Sequence, residues 1–175
     1  KFIEQTSTGL LISPGTANQN IYVYGNEFRN ALLGCNLNNQ DNCSYLSNGS
    51  PIAQMDYAVR VYSTSAVDII GNQFGTVFNH AISLKTAVTY ASITGNTFNA
   101  CGRTCIELGQ ETPASGEALV DNNIFKGARL TDVNVNNIGK ATVTNNVFFT
   151  PISKIRIQPK SPETRIIVTT PNTFL

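Results

Sequence analysis

Apolar and polar residues alternate along this chain in short bursts, and the bursts repeat. One unit recurs: apolar, any, apolar, any, small or polar, Asn, any, Phe. It reads Ile21-Tyr22-Val23-Tyr24-Gly25-Asn26-Glu27-Phe28, then Val67-Asp68-Ile69-Ile70-Gly71-Asn72-Gln73-Phe74, then Ala91-Ser92-Ile93-Thr94-Gly95-Asn96-Thr97-Phe98. Looser copies end at Asn123-Ile124-Phe125, Asn146-Val147-Phe148 and Asn172-Thr173-Phe174. Every copy holds Asn two residues before Phe, and the Phe-to-Phe steps are 46, 24, 27, 23 and 26. A second apolar ladder runs through the same periods: Val59/Val61, Ile82/Leu84, Ile106/Leu108, Leu130 and Ile155/Ile157. Alternation of period two marks strands with one inward face.

A unit of about 25 residues cannot bury its own apolar face, but units stacked in register bury one another's. The pattern therefore predicts an all-β chain: a right-handed parallel β-helix, a solenoid of about six coils of about 25 residues, forming one domain over 1–175. Equivalent residues on successive coils would lie about 4.8 Å apart. The asparagines Asn26, Asn72, Asn96, Asn123, Asn146 and Asn172 would stack at one corner. Asn tolerates the left-handed backbone of a sharp corner. Its amide can donate to one neighbour and accept from the other. The phenylalanines would form an interior stack beside that ladder. The 46-residue step exceeds one period, and its excess falls in 32–56, which lacks the Asn-any-Phe unit. That segment is expected as a loop insertion, with a degenerate seventh coil as the alternative.

Composition narrows the partners. Charged residues are 13% of the chain, about half the usual share, and amides and hydroxyls take their place. The net charge of +1 gives no general basic footprint for nucleic acid. No apolar run is long enough to span a membrane as a helix. The cysteines fall in two close pairs. Zinc would need further soft ligands and His80 is the one histidine, so no metal is expected from them. Local disulfides Cys35–Cys43 and Cys101–Cys105 are expected, with buried thiols as the alternative. Disulfides would imply an oxidising compartment, hence a secreted, periplasmic or cell-surface home.

With its Ile-any-Gly-Asn-any-Phe corner and asparagine ladder, the chain resembles the pectin-lyase-like superfamily of right-handed parallel β-helix proteins, over about residues 10–174. The resemblance implies that the segment before the Asn corner is the second sheet. The run around Val59, Ile82, Ile106, Leu130 and Ile155 then corresponds to the first. It also implies polysaccharide work, commonly in a groove along the first sheet. Members include polyuronate lyases, polygalacturonases, uronate epimerases and phage tailspikes. The triple-Asp set with Gly-His-Gly of polygalacturonases and the Asp-Pro-His-Asp of alginate epimerases do not occur here. Calcium, held by carboxylates in pectate lyases, has no recognisable site, and the sequence names no other cofactor. The chain is expected to belong to a longer protein whose further segments would be partners.

Candidate chemistry follows from the first sheet. If its apolar residues point inward, the outward column is Arg60, Ser83, Glu107, Thr131 and Arg156, flanked by Tyr62, Lys85 and Gly109. His80 and Tyr57 lie at the turn entering the sheet. Elimination from a uronate needs a cation on the carboxylate, a base for the C5 proton and an acid for the leaving oxygen. Arg60 offers a planar fork for the carboxylate. Lys85 or His80 can serve as the base. Tyr57 or Tyr62 can serve as the proton donor. Glu107, Tyr57, Arg103 and Arg156 are candidate contacts for an acidic polysaccharide. Hydrolysis would need two carboxylates about 5–9.5 Å apart, and Glu107 alone clearly faces outward, so a lyase is favoured over a hydrolase. The bland reading is ordinary ion pairing on a solvated sheet. The competing class is a non-catalytic adhesin, spike shaft or carbohydrate-binding solenoid.

Overall fold

The computed structural model describes residues 2–3, 8–12, 18–25, 28–29, 33–38, 40–46, 49–50, 55–62, 66–85, 88–109, 114–149, 155–157, 165–168 and 171–175. Every regular element among them is a strand, and every pairing is parallel. Three faces wind round one core. The first runs through Met55–Tyr62, the end of Gln73–Leu84, Thr104–Leu108, Thr131–Val135 and Ile155–Ile157. The second holds seven strands, from Asn18–Tyr24 to Arg165–Val168. The third is short: the start of Gln73–Leu84, then Thr97–Cys101, Ile124–Phe125, Val147–Phe148 and Thr173–Phe174. The chain is thus an all-β parallel solenoid.

The core follows from alternation. Val67 and Ile69, Ala91 and Ile93, Ala118 and Val120, and Ala141 and Val143 are buried on the second sheet. Val59/Val61, Ile82/Leu84, Ile106/Leu108 and Val133/Val135 are buried on the first. The two predicted ladders run side by side, the asparagines at the corner between the second and third sheets and the phenylalanines on the third. Phe74, Phe98, Phe125, Phe148 and Phe174 stack with centroids 5.0, 4.8, 4.8 and 5.2 Å apart. Each ladder amide donates Nδ2 to the next rung's Oδ1: Asn72 to Asn96 at 2.9 Å, Asn96 to Asn123 and Asn123 to Asn146 at 3.0 Å, Asn146 to Asn172 at 3.1 Å. The same Oδ1 also accepts the preceding rung's backbone N–H. These buried amides are satisfied by one another, which makes an internal polar column tolerable.

Several expectations need correcting. Between 66 and 149 the described chain makes about four turns, not six. The ladder pairing extends to either side of that span. The segment 32–56 carries strands, and a loop insertion does not describe it. Leu33–Asn38 pairs with Thr8–Ile12 and Met55–Tyr62, Gln40–Leu46 pairs with Asn18–Tyr24 and Ala66–Ile70, and Ser50 takes the register of Phe74. A serine in the Phe column hid this rung. Ladder asparagines are not the left-handed corner residues either. That backbone belongs to the residue just before each: Gly25, Gly71, Gly95, Asn122 and Asn145, with φ between 52° and 65°. Asn26 lies outside the described residues. Finally, Leu130 is 44% exposed and is not a core residue of the first sheet. Val133 takes its place, in register with Ile106.

Candidate functional site

Because Leu130 is displaced by Val133, the outward column of the first sheet reads Arg60, Ser83, Glu107, Asn134 and Arg156. The expected Thr131 instead aligns with Tyr57, His80 and Thr104 at the strand entries. Parallel stacking brings Arg60, His80 and Glu107 together from three successive coils. Arg156 continues the column in register, but its side chain lies outside the described residues.

Tyr57 is the hub. Its ring stacks on His80 with centroids 5.4 Å apart at 25°. The Arg60 guanidinium lies 4.3 Å from the Tyr57 centroid and 5.5 Å from that of Tyr62, and Lys85 Nζ lies 5.5 Å from the Tyr57 centroid. Cations over an aromatic face meet the negative side of its quadrupole. Tyr57, Arg60 and Tyr62 are half-buried, and Arg103 is exposed. His80, Lys85 and Glu107 are 4%, 3% and 3% exposed. They are therefore not the solvated ion pairs of the bland reading.

Glu107 is held by amides. Asn134 Nδ2 donates to both carboxylate oxygens, at 3.1 and 2.9 Å, and Asn136 Nδ2 donates to Oε1. Burial raises the Glu107 pKa, while those two amides, Lys85 and Arg103 pull it back. His80 is lowered to about 4 by burial first, then by Arg103, Lys85 and Arg60. A histidine so placed is neutral at pH 7. Several polar atoms here are buried without a hydrogen-bond partner among the described residues: Arg60 Nε, His80 Nδ1, Ser83 Oγ, and Oδ1 of Asn134, Asn136 and Asn137. Leaving such a group unpaired costs about 1–3 kcal/mol, so their clustering on one face calls for a partner.

The three asparagines were missed by sequence reasoning. The signal was there: Val133-Asn134-Val135-Asn136 alternates as a first-sheet strand should. Arg103 stands at the corner entering Thr104–Leu108, close enough to act on both His80 and Glu107.

The expected Cys101–Cys105 disulfide is absent: both are free and buried. The Cys105 thiol instead contacts Asp132 Oδ1 at 3.7 Å inside the core. Burial, then Cys101, pushes its pKa well above the usual thiol value. Cys35 and Cys43 lie in strands of the first and second sheets, in register with Val59 and Val67. Their side chains lie outside the described residues. No group of three or more His, Cys, Asp or Glu among the described residues is arranged to hold a metal ion. No helix among them is long and apolar enough to cross a membrane.

No protein-family model matches the chain, and no curated protein or solved structure is detectably similar to it.

Proposed function

We propose that this chain binds an acidic, uronate-containing polysaccharide along its first sheet and cleaves it by β-elimination, as a pectin-lyase-like protein acting outside the cytoplasm. The observation that carries the reading is the shared setting of Arg60 and His80. On one tyrosine ring sit a guanidinium with a buried N–H and a neutral imidazole with a buried nitrogen, neither with a hydrogen-bond partner among the described residues. A carboxylate is the natural acceptor for the first, and a carbon acid is a fitting donor for the second.

In this mechanism Arg60 binds the uronate carboxylate, which acidifies the C5 proton. His80 takes that proton, and Lys85 offsets the negative charge that develops on the carboxylate. The C4–O bond breaks as the C4–C5 double bond forms, and the departing oxygen takes a proton from Tyr57 or Tyr62. Half-buried Tyr57, Arg60 and Tyr62 form the side that a sugar chain meets first. Hydrolysis is disfavoured because Glu107 is the only carboxylate among the described outward residues of the first sheet.

One observation favours a second reading. His80, Lys85 and Glu107 are nearly sealed from solvent, which suits a solenoid that binds saccharide without turning it over, as an adhesin, spike shaft or binding module would. Incubation with polygalacturonate, alginate and hyaluronate separates the two. Elimination gives the ultraviolet absorbance of an unsaturated uronate, lost in folded Arg60→Ala and His80→Ala. Reducing ends without that absorbance would indicate a hydrolase, and binding without products would leave the non-catalytic reading.

A further inference from the structure

The strand Gln73–Leu84 bends from the third sheet into the first, and Phe78 sits on the outside of that bend. It is 58% exposed, although its neighbour Val77 is fully buried. One exposed phenylalanine is ordinary by itself. Its surroundings on the next two rungs are not. Gly102 N donates to Val77 O at 2.7 Å and Arg103 N to Asn79 O at 3.1 Å. Arg129 N donates to Cys101 O and Leu130 N to Arg103 O, both at 2.9 Å. Phe78, Gly102 and Arg129 therefore follow one another up the solenoid, with Asn79, Arg103 and Leu130 as the adjoining column. Arg103 and Arg129 are exposed, as is Leu130.

We infer that this corner is a second carbohydrate-binding site, in which Phe78 stacks on the face of a sugar ring while Arg103 and Arg129 bind the carboxylates of an acidic polysaccharide. The inference rests on the polysaccharide reading above and extends the binding face beyond His80. Gly102 is central to it. A Cβ at that position would collide with the Phe78 carbonyl, so backbone packing enforces a rung without a side chain. That rung carries no side chain between Phe78 and Arg129, which stand two rungs or about 10 Å apart. The apolar C–H face of a sugar suits the negative face of a phenyl ring. Guanidinium forks suit its carboxylates. The rungs of Phe78, Gly102 and Arg129 carry no negative charge in these two columns; on the rung below, Asp56 falls between Met55 and Tyr57, the partners of Val77 and His80. Arg103 also acts on His80 and Glu107, which makes the corner continuous with the first-sheet site.

The test measures affinity for galacturonate and mannuronate oligomers long enough to span both sites, using wild type, Phe78→Ala, Phe78→Tyr and Arg129→Glu. Phe78 and Arg129 are surface residues, and circular dichroism checks that each variant is folded. Phe78→Ala and Arg129→Glu should each weaken binding about tenfold, and Phe78→Tyr should restore it. If Arg60→Ala weakens binding while Phe78→Ala and Arg129→Glu do not, the corner site is wrong and the first-sheet reading stands. If wild type binds no polyuronate, both fail. Aromatic and arginine side chains also suit single-stranded nucleic acid. Binding of oligothymidylate but of no polyuronate, with loss in Phe78→Ala, would overturn the carbohydrate assignment.

Discussion

His80 Nδ1 stops 3.9 Å from Glu107 Oε2, beyond hydrogen-bonding distance, with both side chains buried on the first-sheet face. Burial and three nearby cations keep the imidazole neutral, and burial raises the carboxyl group. The two have opposite consequences for stability. For His80 the folded pKa is about 4 against 6.5 unfolded, so between those values the unfolded chain binds a proton that the folded chain refuses. Stability therefore falls as pH drops from 6.5 to about 4, by up to about 3 kcal/mol from this group. For Glu107 the folded state holds its proton longer, so its contribution is greatest below its unfolded value of 4.5 and is lost as pH rises through the folded pKa. Urea titrations at pH 7, 6, 5 and 4.5 should show wild type weakening with acid, and His80→Gln much less so. An equally steep profile in the variant would remove His80 as the cause.

The asparagine ladder makes a sharper stability claim. Asn123→Ala would strand the Asn96 backbone N–H and one of the two Asn96 Nδ2 hydrogens in a dry column, and would take one donor each from the Ile93 carbonyl and Asn146 Oδ1. With about 1–3 kcal/mol for each orphaned group, the loss should be about 3 kcal/mol or more. Chemical denaturation measures it, and a loss below 1 kcal/mol would mean that water enters the column and satisfies the neighbours.

The ladders were legible because their residue types carry the mechanism: Asn amides couple along the fibre, and Phe fills the interior. What was lost was lost through substitution and length. Ser50 in the Phe column concealed a whole coil in 32–56. The step from Phe98 to Phe125 is 27 residues, and the first-sheet step from Ile106 to Val133 is also 27. Ladders of one coil keep nearly the same length, so the longer Phe step already favoured Val133 over Leu130. Applying that constraint would have placed Asn134 beside Glu107. The burial of His80, Lys85 and Glu107 could not be read from periodicity, which sorts inward from outward but does not say what closes over the outer face.

Packing along the Phe stack should grade with position. Phe125 is sandwiched between Phe98 and Phe148 and fully buried, whereas Phe174 has one ring neighbour among the described residues and is 54% exposed. Phe125→Ala should cost about 3–5 kcal/mol, and Phe174→Ala less than half as much. Denaturant midpoints for the two variants give the comparison directly. Equal losses would mean that the stack unfolds as one body regardless of burial.

Corner backbone should be equally selective. Gly95 has φ of 64° and Asn122, on the next rung, 53°. An alanine at 95 must hold a left-handed conformation at a cost of about 1–2 kcal/mol, even though space there is open. Asn122→Gly relieves that strain and should be neutral or slightly stabilising. If Gly95→Ala melts at the wild-type temperature, the corner has an alternative backbone.

Function is tested most closely by separating Arg60 from Lys85. Arg60 is half-buried on the rim and would hold the carboxylate before and during the reaction. Lys85 lies deeper, 3% exposed, with its ammonium 5.5 Å from the Tyr57 centroid. Its charge would matter most when negative charge builds up on the substrate. Interactions made mainly in the transition state lower kcat when removed, and uniform ones raise KM. Lys85→Ala should therefore cut kcat by about 100-fold or more with KM little changed, about 3 kcal/mol of transition-state stabilisation. Arg60→Ala should damage both constants. Steady-state kinetics on a polyuronate that wild type cleaves, with folding checked by circular dichroism, decides it. A KM effect alone from Lys85→Ala would make Lys85 a binding residue and leave His80 and Arg60 to carry the chemistry. Full activity in the folded double variant would move the reaction away from this face altogether.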